Sequence, residues 1–212
     1  MTNRSGRRGI VLGLTGPVCA GKSQVSRILR ALGAAVYEAD EIVRQLYERP
    51  DVNARVRELF GDEVFDGNGA VNRSAIAARV FGSKEADALR CRLTGEIIFP
   101  LTGELLRGRI DEFRGSARAG ELLVIDAPTL FEAGRADWCD EVLFVTAAPD
   151  RRRGWAIARG WPPGELERRD AAMIPESEKR SRSTFVIENG GTLVDLENQV
   201  RKIWEVLVGT PG

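Results

Sequence analysis

Glycine, lysine and serine residues follow the spacing G-x-x-x-x-G-K-S between Gly16 and Ser23. The apolar run Ile10-Val11-Leu12 precedes them, and a helical pattern with one apolar face follows. Strand, tight loop and helix in this order are the context of a phosphate-binding loop. The glycines let backbone N–H groups approach phosphate oxygens, the lysine reaches the β- and γ-phosphates, and the serine hydroxyl can bind Mg²⁺. The sequence therefore predicts a nucleotide site here.

The residues of this loop and of the first helical turn are candidates for binding ATP. They are Gly16, Cys19, Ala20, Gly21, Lys22, Ser23 and Gln24. Cys19 lies near a lysine and a helix N-terminus, a setting that makes thiols reactive. The alternative is that the loop needs only a small side chain at this position.

Two aspartates follow predicted strands and could supply acid–base and metal chemistry beside the loop. Asp126 ends the apolar run 122–125, as does the carboxylate that holds Mg²⁺ in phosphate-loop enzymes; capping of the next turn is the alternative. Asp40 could accept a proton from a substrate hydroxyl, and a helix N-cap is its alternative. Because the chain contains no histidine, any general base must be a carboxylate.

Five short apolar runs predict the strands that would position these residues, at Ile10–Leu14, Ala34–Tyr37, Leu122–Asp126, Val142–Val145 and Phe185–Ile187. Helical patterns separate most of them, which is typical of a parallel α/β sheet with crossover helices. Ligands of such sheets bind beyond the carboxyl ends of the strands. The phosphate loop, Asp40 and Asp126 all follow strand ends, so we expect them to meet at one edge.

We expect a single domain with three parts. The core sheet comprises 9–49, 119–149 and 184–208, and a helical substrate-binding insertion occupies 50–118, where apolar stripes recur at helical spacing. The segment 150–183, here called the arm, is rich in arginine and poor in apolar runs. Such a composition predicts a weakly packed lid that opens at low free-energy cost.

The arginines of the arm divide into two groups. We interpret Arg151–Arg153 and Arg168–Arg169 as solvated helix faces. Arg159 precedes Gly160 at a predicted helix end, where closure of the arm would bring it to the phosphates. An arginine in that place stabilises the charge that develops during phosphoryl transfer.

Charge and cysteine content restrict the partners and the compartment. The 212 residues include 31 Lys and Arg and 31 Asp and Glu, so no basic surplus indicates nucleic acid as a partner. The three cysteines form no C-x-x-C pair, which favours a cytoplasmic location over a disulfide framework. No apolar run reaches membrane-spanning length. We expect a cytoplasmic monomer that does not contact the membrane, with a frayed basic tail at 1–8.

Further short motifs accompany the phosphate loop. They are Gly13-Leu14-Thr15-Gly16, Gly21-Lys22-Ser23, Ala39-Asp40-Glu41-Ile42, Phe60-Gly61, Asp126-Ala127-Pro128, Leu130-Phe131-Glu132, Arg159, the set Pro175, Glu178 and Lys179, and Val186-Ile187-Glu188-Asn189. With these residues the chain resembles the dephospho-coenzyme A kinase family over nearly its whole length. The resemblance implies a phosphate-loop fold like that of nucleoside-monophosphate kinases, with a helical substrate domain and an arginine-bearing lid.

The resemblance also implies an activity and roles for residues. ATP would phosphorylate the ribose 3′-hydroxyl of dephospho-CoA to give coenzyme A, with Mg²⁺ as the metal ion. The catalytic residues would be Lys22, Asp40 and Arg159, and the metal ligands Ser23 and Asp126. Asn189 would contact the nucleotide. The acceptor substrate would contact Asp40, Phe131 and Phe99, although for Phe99 a place in the core is the alternative.

Several positions depart from the family pattern. Phe99 stands where the family usually has a histidine, Met173 replaces a common glutamine, and Ser183-Thr184 replaces a pair that ends in aspartate. Pro17-Val18 and Gln24 are departures within the loop region. Two alternatives therefore remain: a related kinase of another small nucleotide or hydroxyl substrate, and a catalytically weak nucleotide-binding homologue.

Overall fold

Five parallel β-strands form the centre of the protein. The computed structural model describes residues 9–81 and 83–209, and the expected tail at 1–8 lies outside them. The strands are β1 (Ile10–Thr15), β2 (Ala35–Glu38), β3 (Leu122–Asp126), β4 (Glu141–Thr146) and β5 (Phe185–Glu188), in the spatial order β2-β3-β1-β4-β5. All neighbouring pairs are parallel, so the predicted five-stranded parallel sheet is confirmed.

The central strands are covered on both faces, which explains their continuous apolar sequences. Every residue of β1 and β3 is buried. The register places Leu14 of β1 opposite Asp126 of β3, and Asp126 opposite Glu38 of β2. The carboxyl ends of these three strands are therefore level, and the segments that follow them leave the sheet at one edge.

Ten α-helices occur within the described residues: α1 (Lys22–Ala31), α2 (Ala39–Leu46), α3 (Pro50–Phe60), α4 (Arg73–Val80), α5 (Lys84–Arg92), α6 (Phe99–Ser116), α7 (Pro149–Ala158), α8 (Glu165–Ala171), α9 (Glu176–Ser181) and α10 (Leu193–Val208). Two compact units contain them. The sheet unit comprises the described residues up to Glu38 and from Arg107 onwards, and the helical unit comprises Ala39–Leu106. None of the described helices is both long and apolar enough to cross a membrane.

Two helices of the sheet unit complete its main core. Apolar side chains of α1, such as Val25 and Leu29, and of α10, such as Val200, are buried in one cluster with the strands. A capping box begins α10, in which the Thr192 hydroxyl accepts from the Asp195 N–H and the Asp195 carboxylate accepts from the Thr192 N–H.

The helical unit contains one irregular turn beside a proline. The segment Leu93–Ile98 is π-helical and leads directly into α6, where Phe99 precedes Pro100. In a regular α-helix Pro100 would clash with the carbonyl group of Glu96, four residues earlier, and would lack an N–H to donate to it. The wider π-helical turn before Pro100 leaves room for the proline ring and does not require the missing N–H group. The helix α6 therefore continues to Ser116.

Candidate active site

The phosphate-binding loop joins β1 to α1 in a conformation that only glycine permits at two positions. Gly16 has φ +149°, and a Cβ atom there would lie 2.0 Å from the Val145 carbonyl oxygen. Gly21 has φ +95°, and a Cβ atom there would lie 2.2 Å from the side-chain nitrogen of Asn189. Both glycines of the motif are therefore required by space as well as by backbone dihedral.

Two buried side chains hold carbonyl groups of this loop. The Nζ atom of Lys22 donates hydrogen bonds to the carbonyl oxygens of Gly16 and Pro17, each at 3.0 Å. The Nδ2 atom of Asn189, which follows β5, donates to the Ala20 carbonyl oxygen at 3.1 Å. The predicted nucleotide residues Lys22 and Asn189 are thus brought together at the loop from opposite ends of the chain.

Asp126, at the end of β3, is joined to α1 by a buried hydrogen bond. Its Oδ2 atom accepts from the Ser26 hydroxyl at 2.6 Å. Ser23 lies three residues earlier on α1 and is exposed, so its hydroxyl remains accessible beside the loop. Ser26 was not predicted as a site residue. Its three-residue spacing from Ser23 places the two serines on neighbouring positions of one helix face, but only the fold shows that Ser26 reaches Asp126.

Asp40 lies in the first turn of α2, two residues after β2 ends. Because α2 begins at Ala39, Asp40 is inside the helix and does not occupy the N-cap position that was its alternative interpretation. A carboxylate in the first turn interacts favourably with the positive end of the helix. The Asp40 side chain is exposed, so it is accessible to a substrate hydroxyl.

Arg159 ends α7 and contacts the phosphate loop directly. Its Nη1 atom lies 3.6 Å from the Sγ atom of Cys19, and the Arg159 side chain is exposed. Cys19 itself is only 5% exposed and has φ +59°, a left-handed conformation that is uncommon for residues other than glycine. The sheet unit therefore brings the predicted catalytic arginine to the loop that the sequence predicts for phosphates.

One prediction about the arm is wrong. Arg152 does not lie on a solvated helix face: it is buried, and its guanidinium forms two hydrogen bonds to the Asp170 carboxylate, at 2.7 and 2.5 Å. Its Nε atom donates to the Val18 carbonyl oxygen at 2.8 Å. The side chains of Arg153 and Arg168 are exposed, as predicted. The helical pattern could not distinguish these neighbours because the partner carboxylate lies on another helix.

A second buried cation, Lys179, binds the arm to the loop that follows β3. Lys179 of α9 is 2% exposed, and its Nζ atom lies 2.7 Å from both the Glu132 carboxylate and the Pro128 carbonyl oxygen. The Pro128 oxygen also accepts from the Thr15 hydroxyl at the end of β1. Contrary to the predicted weak packing, the arm is held by buried ion pairs in this structure.

A small cavity lies between the arm and the first half of the phosphate loop. It has a volume of about 120 Å³ and is lined by Pro17 of the loop and by Arg152, Asp170, Met173, Glu176 and Lys179 of the arm. Pockets for small-molecule ligands are several times larger. The cavity is smaller than such a pocket, and its charged lining residues Arg152, Asp170 and Lys179 form the ion pairs of the arm.

Three further residues were predicted to contact a substrate, namely Gln24, Phe131 and Phe99, and they differ in burial and in their contacts. The Gln24 side chain accepts from Arg27 on the next turn of α1. The ring of Phe131 is buried beneath the Arg182 guanidinium, whose carbon lies 4.4 Å from the ring centre. Phe99 is half-buried at the start of α6.

Comparisons with known proteins connect this arrangement to one family. The family model described as dephospho-CoA kinase matches residues 10–195. A dephospho-CoA kinase of Rhodopirellula baltica is 36% identical over 195 residues, which cover 92% of this chain and 88% of that protein. The crystal structure of a Thermus thermophilus protein matches with a TM-score of 0.74 and 30% identity, and covers 97% of this chain and 100% of that one.

A more distant solved structure has the same fold. The dephospho-CoA kinase of Campylobacter jejuni matches with a TM-score of 0.61 and covers 96% of this chain and 100% of its own. Its sequence identity is only 14%, so this match supports the fold alone.

Proposed function

Because the chain belongs to the dephospho-CoA kinase family, we propose that it transfers the γ-phosphoryl group of ATP to the ribose 3′-hydroxyl of dephospho-CoA. The product is coenzyme A, and the reaction is the last step of its biosynthesis. The observation that carries the proposal is the phosphate loop at the end of β1, with the buried Lys22 amine, the exposed Ser23 hydroxyl and the Asp126 carboxylate around it.

The loop binds the donor nucleotide. Lys22 hydrogen-bonds to loop carbonyls in this structure, and the γ-phosphate of ATP provides stronger, charged acceptors for the same amine. The N–H groups of Cys19, Ala20 and Gly21 surround the phosphates, and Gln24 and Asn189 border the site. Positioning of this kind, rather than covalent chemistry, supplies most of the catalysis in phosphoryl transfer.

The oxygen atoms present fit a magnesium ion. Mg²⁺ prefers oxygen ligands, keeps several waters, and is usually held by one or two carboxylates together with the substrate's phosphates. The Ser23 hydroxyl and the Asp126 carboxylate supply such ligands, and the Ser26 hydroxyl orients Asp126. When bound, the ion neutralises charge on the β- and γ-phosphates.

Asp40 acts on the attacking hydroxyl group, and Arg159 acts on the phosphoryl group that is transferred. Asp40 accepts the proton of the ribose 3′-hydroxyl as that oxygen attacks phosphorus, because the chain offers no histidine for this role. Arg159 donates to the oxygens of the phosphoryl group in transit, a role that its contact with Cys19 at the loop supports. Phe131 and Phe99 contact the acceptor substrate through their rings.

The experiment that tests the proposal measures ADP release with a panel of acceptors. Dephospho-CoA and AMP are compared as acceptors at equal concentrations with ATP and Mg²⁺, and a reaction without added acceptor gives the rate of transfer to water. We expect rapid ADP formation with dephospho-CoA alone, and one coenzyme A for each ADP. A faster rate with AMP would assign the chain to another nucleotide kinase, and equal rates with every acceptor would show that it is not a kinase of dephospho-CoA.

The Asp40→Asn variant separates the acceptor step from nucleotide binding. Loss of the general base should lower kcat by roughly 10²- to 10⁴-fold, while the Kd of ATP stays within a few-fold of the parent value. The exposed Glu48→Gln on the loop after α2 is the control and should retain full activity. If Asp40→Asn weakened ATP binding as much as it lowered kcat, the assignment of Asp40 as the base would fail.

The proposed setting is the cytoplasm, where the enzyme acts as a monomer. All three cysteines are free, as is usual in a reducing compartment. Sedimentation equilibrium at micromolar concentration should give the mass of one chain, 23.3 kDa. A concentration-dependent mass of twice that value would contradict the monomer.

A further inference from the structure

Arg152 joins three parts of the sheet unit through one buried guanidinium. Its side chain is only 6% exposed. The Nε atom donates to the Val18 carbonyl oxygen in the middle of the phosphate loop, at 2.8 Å. Both Oδ atoms of Asp170 in α8 accept from Nη2, and Nη1 lies 3.9 Å from a Glu176 oxygen in α9.

The hydrogen bond to Val18 fixes the orientation of one loop peptide. In a planar trans peptide the carbonyl oxygen and the following N–H point in opposite directions. Since Arg152 holds the Val18 oxygen, the N–H of Cys19 points away from Arg152. Cys19 has φ +59°, which a residue other than glycine keeps only when its surroundings hold it there.

The same arrangement recurs two residues further along the loop. Asn189 holds the Ala20 carbonyl oxygen, so the N–H of Gly21 points away from Asn189. A backbone in which N–H groups converge while the carbonyls are held on the other side is an anion-binding nest. Arg152 and Asn189 thus each hold one carbonyl oxygen of the loop, and the N–H groups of Cys19 and Gly21, which point away from these two side chains, remain for phosphate.

The charge of Arg152 is already compensated. A guanidinium that donates two hydrogen bonds to one carboxylate and is buried beside a second has little attraction left for a phosphate group. Arg159, which follows the last residue of α7, is exposed, and its guanidinium contacts the Cys19 sulfur of the loop. The two arginines therefore do different things, and Arg152 acts on the nucleotide only through the loop backbone.

We propose that Arg152 is a positioning residue that presets the Val18–Cys19 peptide for the phosphates of the donor nucleotide. The inference rests on the proposed use of ATP at this loop, and it does not depend on which acceptor is phosphorylated. Asp170 keeps the guanidinium in place and balances its charge. A lysine at this position could reach one partner but could not supply the fork that holds Val18 and Asp170 together.

The test measures binding of tripolyphosphate, which has the phosphates of ATP but neither base nor ribose. Isothermal titration calorimetry compares the parent with Arg152→Met, Arg152→Lys and the control Arg153→Met, which removes an exposed arginine on the same helix. A hydrogen bond to a charged donor contributes about one order of magnitude or more to an equilibrium constant. We expect Arg152→Met to bind tripolyphosphate and ATP about 10-fold more weakly, by equal factors.

Steady-state kinetics separate this role from a general loss of structure. The KM for ATP should rise about 10-fold in Arg152→Met, whereas the KM for dephospho-CoA should stay within about two-fold of the parent value. Arg152→Lys should recover part of the loss, and Arg153→Met should match the parent. Where Arg152→Met does not fold, Arg152→Gln is used, because glutamine still hydrogen-bonds to Asp170 but is too short to hold Val18 as well.

Two results would overturn the proposal. One is parent-like affinity for tripolyphosphate in a folded Arg152→Met or Arg152→Gln variant. The other is an equal rise in the KM values of both substrates, which would indicate a purely structural residue. A parent protein that binds tripolyphosphate but does not phosphorylate dephospho-CoA would refute the proposed acceptor and leave the test of Arg152 valid.

Discussion

The phosphate loop and the arm meet in the sheet unit but are held by different means. The loop conformation depends on Gly16 and Gly21, whose backbone dihedrals and close neighbours exclude any side chain. The arm contains two buried cations: Arg152 pairs with Asp170 within the arm, and Lys179 pairs with Glu132, which follows β3. One region is determined by local backbone sterics, and the other by charges that are brought together only in the folded chain.

The difference has a consequence for catalysis. Lys22 and Arg159, the residues that we propose to act on phosphate, lie where the two regions meet. Removing such a group should affect turnover and leave the fold intact. Removing Lys179 should affect stability first, because the Glu132 carboxylate would lose its buried cation partner.

Lys22→Met tests the loop and should have the largest effect. The substitution removes the amine and keeps most of the side-chain volume, so we expect kcat to fall at least about 10³-fold, as on loss of a preorganised donor to the transition state. The circular dichroism spectrum and the midpoint of unfolding in urea should remain close to those of the parent. Turnover at the parent's rate would show that the loop does not serve the nucleotide.

Arg159→Ala tests whether the arm takes part in the chemistry. Arginines that stabilise phosphoryl transfer contribute about 10³-fold or more to kcat. We expect a loss of this order with less than about a three-fold change in the Kd of dephospho-CoA, measured by calorimetry, since a group of this kind acts on the transition state. Arg153→Ala is the matched control on the same helix. Full turnover in the Arg159→Ala variant would show that Arg159 takes no part in phosphoryl transfer and that the role of the arm is structural.

The loop and the sheet could be predicted from the sequence because their signals are local. The apolar run before Gly16 and the glycine spacing after it predicted β1, the loop and α1, and the structure confirms them. Asp126 was predicted to hold a metal ion because a carboxylate directly follows an apolar run; the structure confirms its position at the end of β3, and its role stays a prediction. Pairing of β2 with β3, across the long helical segment between them, follows the rule for parallel sheets with crossover helices.

The buried contacts of the arm could not be predicted in the same way. Arg152 and Arg153 are adjacent in sequence and alike in chemistry, yet one is buried and the other exposed. The distinction depends on Asp170, on a helix whose position only the tertiary fold determines. Ser26 likewise became identifiable only when α1 was placed beside the end of β3.

Lys179→Met measures the contribution of the buried ion pair to stability. Breaking a buried pair by removing one partner typically costs about 3–5 kcal/mol, so we expect a loss of about 3 kcal/mol in the free energy of unfolding in urea. Arg180→Met removes a neighbouring cation whose pair with Glu188 is exposed. That control should change stability by less than about 1 kcal/mol. Equal effects of the two substitutions would contradict the role given to burial.

Cys19 reports on occupancy of the loop and should show the smallest effect. In a Cys91→Ser background the exposed thiol is removed, and burial raises the pKa of the Cys139 thiol to about 12, so Cys139 stays protonated and unreactive at pH 8. Cys19 is then the thiol to follow by alkylation and mass spectrometry. ATP at ten times its Kd should slow modification about 10-fold, because only the free enzyme reacts. Identical rates with and without ATP would place the nucleotide elsewhere.

The most direct test of the account is the position of the transferred phosphate. The protein is incubated with ATP, Mg²⁺ and dephospho-CoA, and the product is examined by phosphorus NMR and tandem mass spectrometry. We expect one new phosphomonoester on the ribose 3′-oxygen, formed in equal amount with ADP, and none with Lys22→Met. ADP without a phosphorylated acceptor, or phosphate on a different hydroxyl, would contradict it.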